Sequence, residues 1–251
     1  MCPVPLQWLD RLGLTWLYTS SRQRQCTVFC TKFNTAAGDA AEATLSRPDA
    51  DADADADQQA PTPYAAMRRS DQVSRLDALA EVMDHVGAGH ETTGNTMTYL
   101  FFELSQHPSV QSALRKGLLE ATLPNDEDPC SRLTTLEGLP LLTAVIKETL
   151  RRWAGIPGFE PRLVPPEGLA LRNTPYVLPP GSSVGAQPYT LHRDEEAFGG
   201  EVEEWRPDRW VGVGEKEGRS RDQALMAFGK GLRSCIGREV AMYVLSLPFL
   251  L

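Results

Sequence analysis

Phe228-Gly229-Lys230-Gly231-Leu232-Arg233-Ser234-Cys235-Ile236-Gly237 is the stretch on which the reading of this chain turns. It places one cysteine at the end of a glycine-rich loop, with Arg233 two residues earlier and a helix-prone apolar run from Gly237 onward. A helix N-terminus carries roughly half a positive charge and a guanidinium is always protonated, so both neighbours favour thiolate over thiol at Cys235. An anionic sulfur under small residues can ligate a metal or act as a nucleophile, and spacing alone does not choose between them. A buried, inert cysteine is the bland alternative. Two competing motifs fail. Gly229-x-Gly231 lacks the third glycine of a dinucleotide loop, because Ser234 holds that place. His90-Glu91-Thr92-Thr93-Gly94 opens like a zinc-protease helix, but Gly94 stands where the second histidine ligand belongs.

The residues around this loop divide into segments of different texture. Residues 1–34 are weakly apolar and then polar, without sustained periodicity, and partly helical at most. Residues 35–70 collapse to Ala, Asp, Ser and Pro, with an Asp/Ala alternation from Asp49 to Asp57, and are expected to stay disordered because nothing there offers burial. From Asp71 apolar residues recur three or four apart through Val73, Leu76, Leu79, Val82, Leu100 and Leu104, which predicts one long helix ending before Pro108. Gly87 and Gly89 sit in its middle at about 1 kcal/mol each relative to alanine, so that helix needs a close approach or a local distortion. Further helices are predicted from Pro108 toward Ala121, over about Leu139 to Trp153, and from near Gly237 to Pro248. Between Arg162 and Ala186, short β-prone pieces separated by turn signals such as Pro180-Gly181 predict a small sheet.

Composition narrows the function classes. The chain has 251 residues, 33 acids against 25 bases and a net charge of -8, which argues against a nucleic-acid binder. Five scattered cysteines, an odd number, argue against a secreted disulfide scaffold and point to a reducing compartment. The longest apolar stretch, Val240 to Leu251, is broken by Ser246 and Pro248 and falls far short of the roughly 20 residues that span a bilayer. No anchor is therefore expected, and a cytoplasmic or peripherally associated protein is.

The loop resembles the haem-binding loop of the cytochrome P450 family, Phe-x-x-Gly-x-Arg-x-Cys-x-Gly, at Phe228, Gly231, Arg233, Cys235 and Gly237. Two further segments share the resemblance, in the family's order. Glu148-x-x-Arg151, followed by Trp205-Arg206-Pro207-Asp208-Arg209-Trp210, is similar to the family's Glu-x-x-Arg helix and its Pro-Glu-Arg-Phe stretch, with Asp for Glu and Trp for Phe. Ala88-Gly89-His90-Glu91-Thr92-Thr93 looks like its oxygen-activation motif. The resemblance implies a mainly α fold with a small β-sheet, a partial cytochrome P450 fold of the eukaryotic microsomal type that covers residues 71–251, the family's C-terminal half. It implies haem b (iron protoporphyrin IX) as cofactor, Cys235 as the iron ligand, Arg233 and Arg162 at the propionates, and the glycines of the loop close to the porphyrin. Ala88 and Gly89 make room for dioxygen where the helix widens, and Glu91 and Thr92 deliver protons, the catalytic pair. Glu148, Arg151 and Arg209 form a buried structural triad.

The family inserts one oxygen atom from O2 into a hydrophobic small molecule, with electrons from NADPH through NADPH-cytochrome P450 reductase, and usually sits at the endoplasmic reticulum membrane. Six bases against four acids between Glu215 and Glu239 would suit docking of that acidic reductase. The pocket residues left, near Met83 and Val86 and after Trp153, are apolar. Because residues 1–70 and the family's N-terminal half have no counterpart in the resemblance, two readings follow. One is a haem-thiolate monooxygenase; the other is a truncated, inactive paralogue or incomplete gene product.

Overall fold

Alanine-rich and periodic stretches of this chain form helices, and its proline-rich middle forms short antiparallel ladders. The structure, a computed structural model, describes residues 19–45, 62–121, 135–136 and 138–249. In chain order the helices are α1 (Ser21–Leu45), α2 (Pro63–Arg68), α3 (Arg75–Gln106), α4 (Pro108–Glu120) and α5 (Pro140–Arg152). Strands β1 (Glu160–Leu163), β2 (Leu169–Ala170), β3 (Val177–Leu178) and β4 (Ser183–Ala186) follow. The chain then forms α6 (Pro188–Leu191), α7 (Glu195–Phe198), α8 (Glu215–Ala224) and α9 (Arg238–Ser246). It divides into two units, residues 1–87 and 88–251, and the boundary falls inside α3.

The first unit corrects one expectation. Residues 35–45, expected to stay disordered, continue α1, and Pro63–Arg68 forms α2. Alanine is the best helix former, and tertiary contacts supply the rest. Tyr64, Ala78 and Leu79 are buried with Ala41 packed against them. A Cβ at Gly38 would come within 2.5 Å of Leu79 Cδ2, so α1 lies close to that leucine. Glu42 accepts from the Tyr64 hydroxyl at 2.7 Å and from Arg75 Nε at 3.3 Å. Those donors hold its carboxyl below the ordinary carboxylate range, the tyrosine hydroxyl most of all. The Asp49 to Asp57 alternation lies outside the described residues.

In the second unit, α3, α4, α5 and α9 contribute to one core that includes Leu100, Leu104, Leu114, Val145, Ile146 and Leu245. Pro108 and Pro140 open α4 and α5 at positions where a missing N–H costs nothing. The β pieces form two separate antiparallel ladders where one small sheet was expected: β1 with β4, and β2 with β3. Pro165-Pro166 and Pro179-Pro180 stand at the junctions, where proline has no N–H to carry a ladder onward. Helix α3 corrects another expectation. It is regular α-helix from Arg75 to Gln106, without the local widening expected around Ala88 and Gly89. A Cβ at Gly87, Gly89 or Gly94 would meet nothing within 4 Å. Among the described residues no helix is long and apolar enough to cross a membrane.

Candidate functional site

Helix α5 buries the charged pair Glu148 and Arg151 completely. A buried charge persists only when paired and hydrogen-bonded, and Glu148 is both. Its carboxylate accepts from Arg151 Nε at 2.9 Å and Nη2 at 2.8 Å, in the two-pronged geometry a guanidinium offers. Arg209 Nε donates to it at 3.2 Å, the Arg206 main-chain N–H at 2.9 Å and the Trp210 indole N–H at 2.8 Å. Trp210 replaces the phenylalanine of the family's stretch and adds a donor that phenylalanine lacks. Two guanidiniums on one carboxylate leave a surplus positive charge, and main-chain carbonyls absorb it. Arg151 donates to the carbonyls of His192, Val202 and Glu204, at 2.7, 2.8 and 2.9 Å. Arg209 donates to those of Phe198, Gly200 and Glu201. Burial pulls the Arg209 guanidinium below its ordinary value while Glu148 opposes the shift. Arg221 in turn donates to the Arg209 carbonyl and to Glu217. The three residues expected from the Glu-x-x-Arg resemblance thus meet, and together they hold the carbonyls of segment 192–204, which includes the short helix α7.

The cysteine loop follows α8. Phe228 packs against the core as its anchor, and the Cys235 N–H returns to the Phe228 carbonyl at 2.8 Å, closing the loop. Gly229 and Gly231 take φ of +65° and +70°, a region where side chains are strained, which is why glycine stands at both places. Cys235 is exposed, two residues before Gly237, the N-cap of α9. Arg233 is exposed as well. Before and after Cys235 in the chain, Leu232, Ile236 and Val240 are 106%, 85% and 66% exposed, so apolar side chains near the cysteine in sequence face solvent.

On α3, Ala88, Gly89 and Glu91 are exposed and Thr92 is half-buried. The Thr92 hydroxyl donates to the Ala88 carbonyl at 2.6 Å, the local bond a helical threonine commonly makes. Arg162 lies on β1, donating to the Pro161 carbonyl at 2.8 Å with Glu160 at 3.9 Å. Three neighbours escape sequence reasoning. A Cβ at Gly155 would stand 3.2 Å from Thr92 Cβ, so the chain leaving α5 passes close to that threonine. A Cβ at Gly229 would stand 3.3 Å from the Glu160 carboxylate, which puts β1 beside the cysteine loop. His192 is fully enclosed, its ring nitrogens 3.0 Å from the Arg151 carbonyl oxygen and 2.8 Å from the Met226 N–H. Burial pushes that imidazole down to about 4. No local spacing marks any of the three, because each is defined by a partner far along the chain.

The chain is similar to known proteins in sequence and in fold. The chain is 38% identical over 162 residues to cytochrome P450 monooxygenase BOT1 of Botryotinia fuckeliana, covering 64% of this chain and 30% of that protein. It is 34% identical over 164 residues to cytochrome P450 monooxygenase mpaDE of Penicillium roqueforti, covering 65% of this chain and 19% of that protein. With the mitochondrial 25-hydroxyvitamin D-1 alpha hydroxylase of Rattus norvegicus it shares 37% identity over 171 residues, 68% of this chain and 32% of that one. The chain therefore spans about a fifth to a third of the length of these relatives. The crystal structure of the cytochrome P450DA heme domain superposes with a TM-score of 0.57 at 27% identity, over 71% of this chain and 38% of that domain. The Cytochrome P450 family model matches residues 52–250, a span that holds the threonine-bearing helix, the Glu148 network and the cysteine loop, and on that match the chain belongs to the cytochrome P450 family.

Proposed function

We propose that this chain carries the cysteine-ligand side of a haem-thiolate monooxygenase, which inserts one oxygen atom from O2 into a hydrophobic small organic molecule. One observation carries the reading: an exposed thiol with exposed Leu232, Ile236 and Val240 close to it in the chain, on a loop whose approach is tied through His192 to the helix that bears Glu148. Apolar side chains left in water before and after a potential ligand in the chain suit a flat apolar ring that would cover them. When bound, haem supplies thiolate-ligated iron, which favours O–O cleavage. Cys235 is the residue that would hold the metal, through its sulfur. Arg233 and Arg162 serve as counter-ions for the propionates, and Gly229 and Gly231 keep the loop backbone free of side chains. Thr92 and Glu91 hold and pass protons, for which the Thr92 hydroxyl must leave the Ala88 carbonyl.

Electrons come from NADPH through a reductase. Of the six bases between Glu215 and Glu239, Arg219, Arg221 and Arg238 pair with Glu215, Glu217 and Glu239. With Arg233 assigned to a propionate, a docking partner therefore meets Lys216 and Lys230. The names of the relatives, a hydroxylase and fungal monooxygenases among them, support oxygen insertion and a place in secondary metabolism. The test is the spectrum of the hemin-loaded, reduced chain with carbon monoxide. A red-shifted Soret band that disappears in Cys235→Ser is expected; the same band in that variant, or no haem uptake, overturns the assignment.

A further inference from the structure

We propose that His192 is a positioning residue that sets the cysteine loop against the end of α5, its imidazole joining the Arg151 carbonyl to the Met226 N–H. The inference rests on the reading of Cys235 as haem ligand and adds what holds that ligand in place. His192 belongs to neither of the motifs it joins, and it is fully buried between them.

The partners dictate the state of the ring. A carbonyl oxygen only accepts, so Nδ1, 3.0 Å from the Arg151 oxygen, carries the hydrogen. A main-chain N–H only donates, so Nε2, 2.8 Å from the Met226 nitrogen, presents its lone pair. Neither partner can exchange roles, and the ring is held as one neutral tautomer. The Arg151 carbonyl lies in the last turn of α5, where helical oxygens have no partner within their own helix. In return, the Arg151 guanidinium donates to the His192 carbonyl at 2.7 Å. Each residue's side chain thus holds the other's main chain.

From Met226 the connection reaches the cysteine directly. The Met226 carbonyl accepts from the Gly229 N–H at 3.1 Å, and the Phe228 carbonyl accepts from the Cys235 N–H at 2.8 Å. The loop has two glycines at positive φ and an exposed rim, so it has little rigidity of its own. The bond from His192 fixes Met226, two residues ahead of the loop's Phe228, relative to the Glu148 network.

Two substitutions separate the two halves of the bridge. The amide of Asn reaches the place of Nδ1 and keeps the bond to Arg151, whereas the amide of Gln reaches the place of Nε2 and keeps the bond to Met226. Amide hydrogen exchange of the chain is measured for His192→Asn and His192→Gln, with and without hemin. In His192→Asn, exchange over residues 226–235 should rise about tenfold while α5 is unchanged, and the red-shifted carbon monoxide band should give way to an unshifted one. In His192→Gln both should stay near those of the parent chain. Equal loop exchange in the two variants, or α5 and the loop loosening together in both, overturns the inference. Should the parent chain take up no haem, the reading of Cys235 fails, and the exchange asymmetry still decides the role of His192. Should neither variant fold, the nitrogen shifts of the His192 ring in the parent chain decide, because a hydrogen on Nε2 is incompatible with the bridge.

Discussion

The Glu148 network and the cysteine loop are neighbours in chemistry and opposites in energetics. Glu148 and Arg151 have no exposed surface and every oxygen of the carboxylate is engaged. Cys235, Leu232 and Ile236 are exposed, and the loop relies on glycine conformations and a few main-chain bonds. The network is complete within this chain, so its loss shows as lost stability. On the proposed reading the loop is a binding surface for a flat apolar group, so its loss should show as lost binding. The comparison can be broken or sharpened by experiment, starting with the largest effect.

Glu148→Ala leaves two buried guanidiniums without their carboxylate and should destabilise the second unit by about 3–5 kcal/mol. Urea unfolding followed by tryptophan fluorescence measures this, and a midpoint close to that of the parent chain would place the strength of the network elsewhere. Acid acts next. Burial holds the His192 imidazole down to about 4 in the folded chain, against an ordinary value of 6.5, and the positive charges of Arg151, Arg193 and Lys230 add to the shift. The unfolded chain binds the proton first, so this contribution is complete above about pH 6.5 and declines as pH falls toward 4, by on the order of 3 kcal/mol. Unfolding midpoints across that window should fall in the parent chain and be flatter in His192→Gln.

Trp210→Phe removes one of the donors on Glu148 and should cost about 1 kcal/mol, read from the same unfolding curves. Smallest for stability are Cys235→Ser and Ile236→Ser, expected within about 0.5 kcal/mol of the parent chain because both sites are exposed. Hemin titration of the two should nonetheless show weakened uptake. A loop variant that unfolds the chain as Glu148→Ala does would erase the distinction between anchor and binding surface.

Local pattern made much of the fold legible. The apolar spacing from Val73 to Leu104, the proline at 108, the helix expected over about Leu139 to Trp153 and the β-prone pieces all became the expected elements within a few residues. The misreadings share one cause. Residues 35–45 were weighed by what they lack for burial, yet five alanines favour helix and Ala41 needs only a small neighbour to pack. At Gly87 and Gly89 the expected distortion is absent, since a helix with open space around its glycines tolerates them at a propensity cost alone. The Glu148–Arg151–Arg209 meeting was legible through resemblance, but the donors from Trp210 and Arg206 were not.

The sequence by itself determined the helices and the loop around Cys235, because periodicity and glycine placement act over a few neighbouring residues; the pairing of Glu148 with Arg151 followed from the family resemblance, since an i, i+3 acid-base pair is ordinarily a surface contact. Only the tertiary structure decided which carbonyls absorb the surplus charge of the two arginines, that Gly155 lies against Thr92, and that His192 joins α5 to the cysteine loop. Those contacts link residues tens of positions apart. Hydrogen bonds of that kind depend on where the packed core leaves each backbone group, which no local pattern encodes.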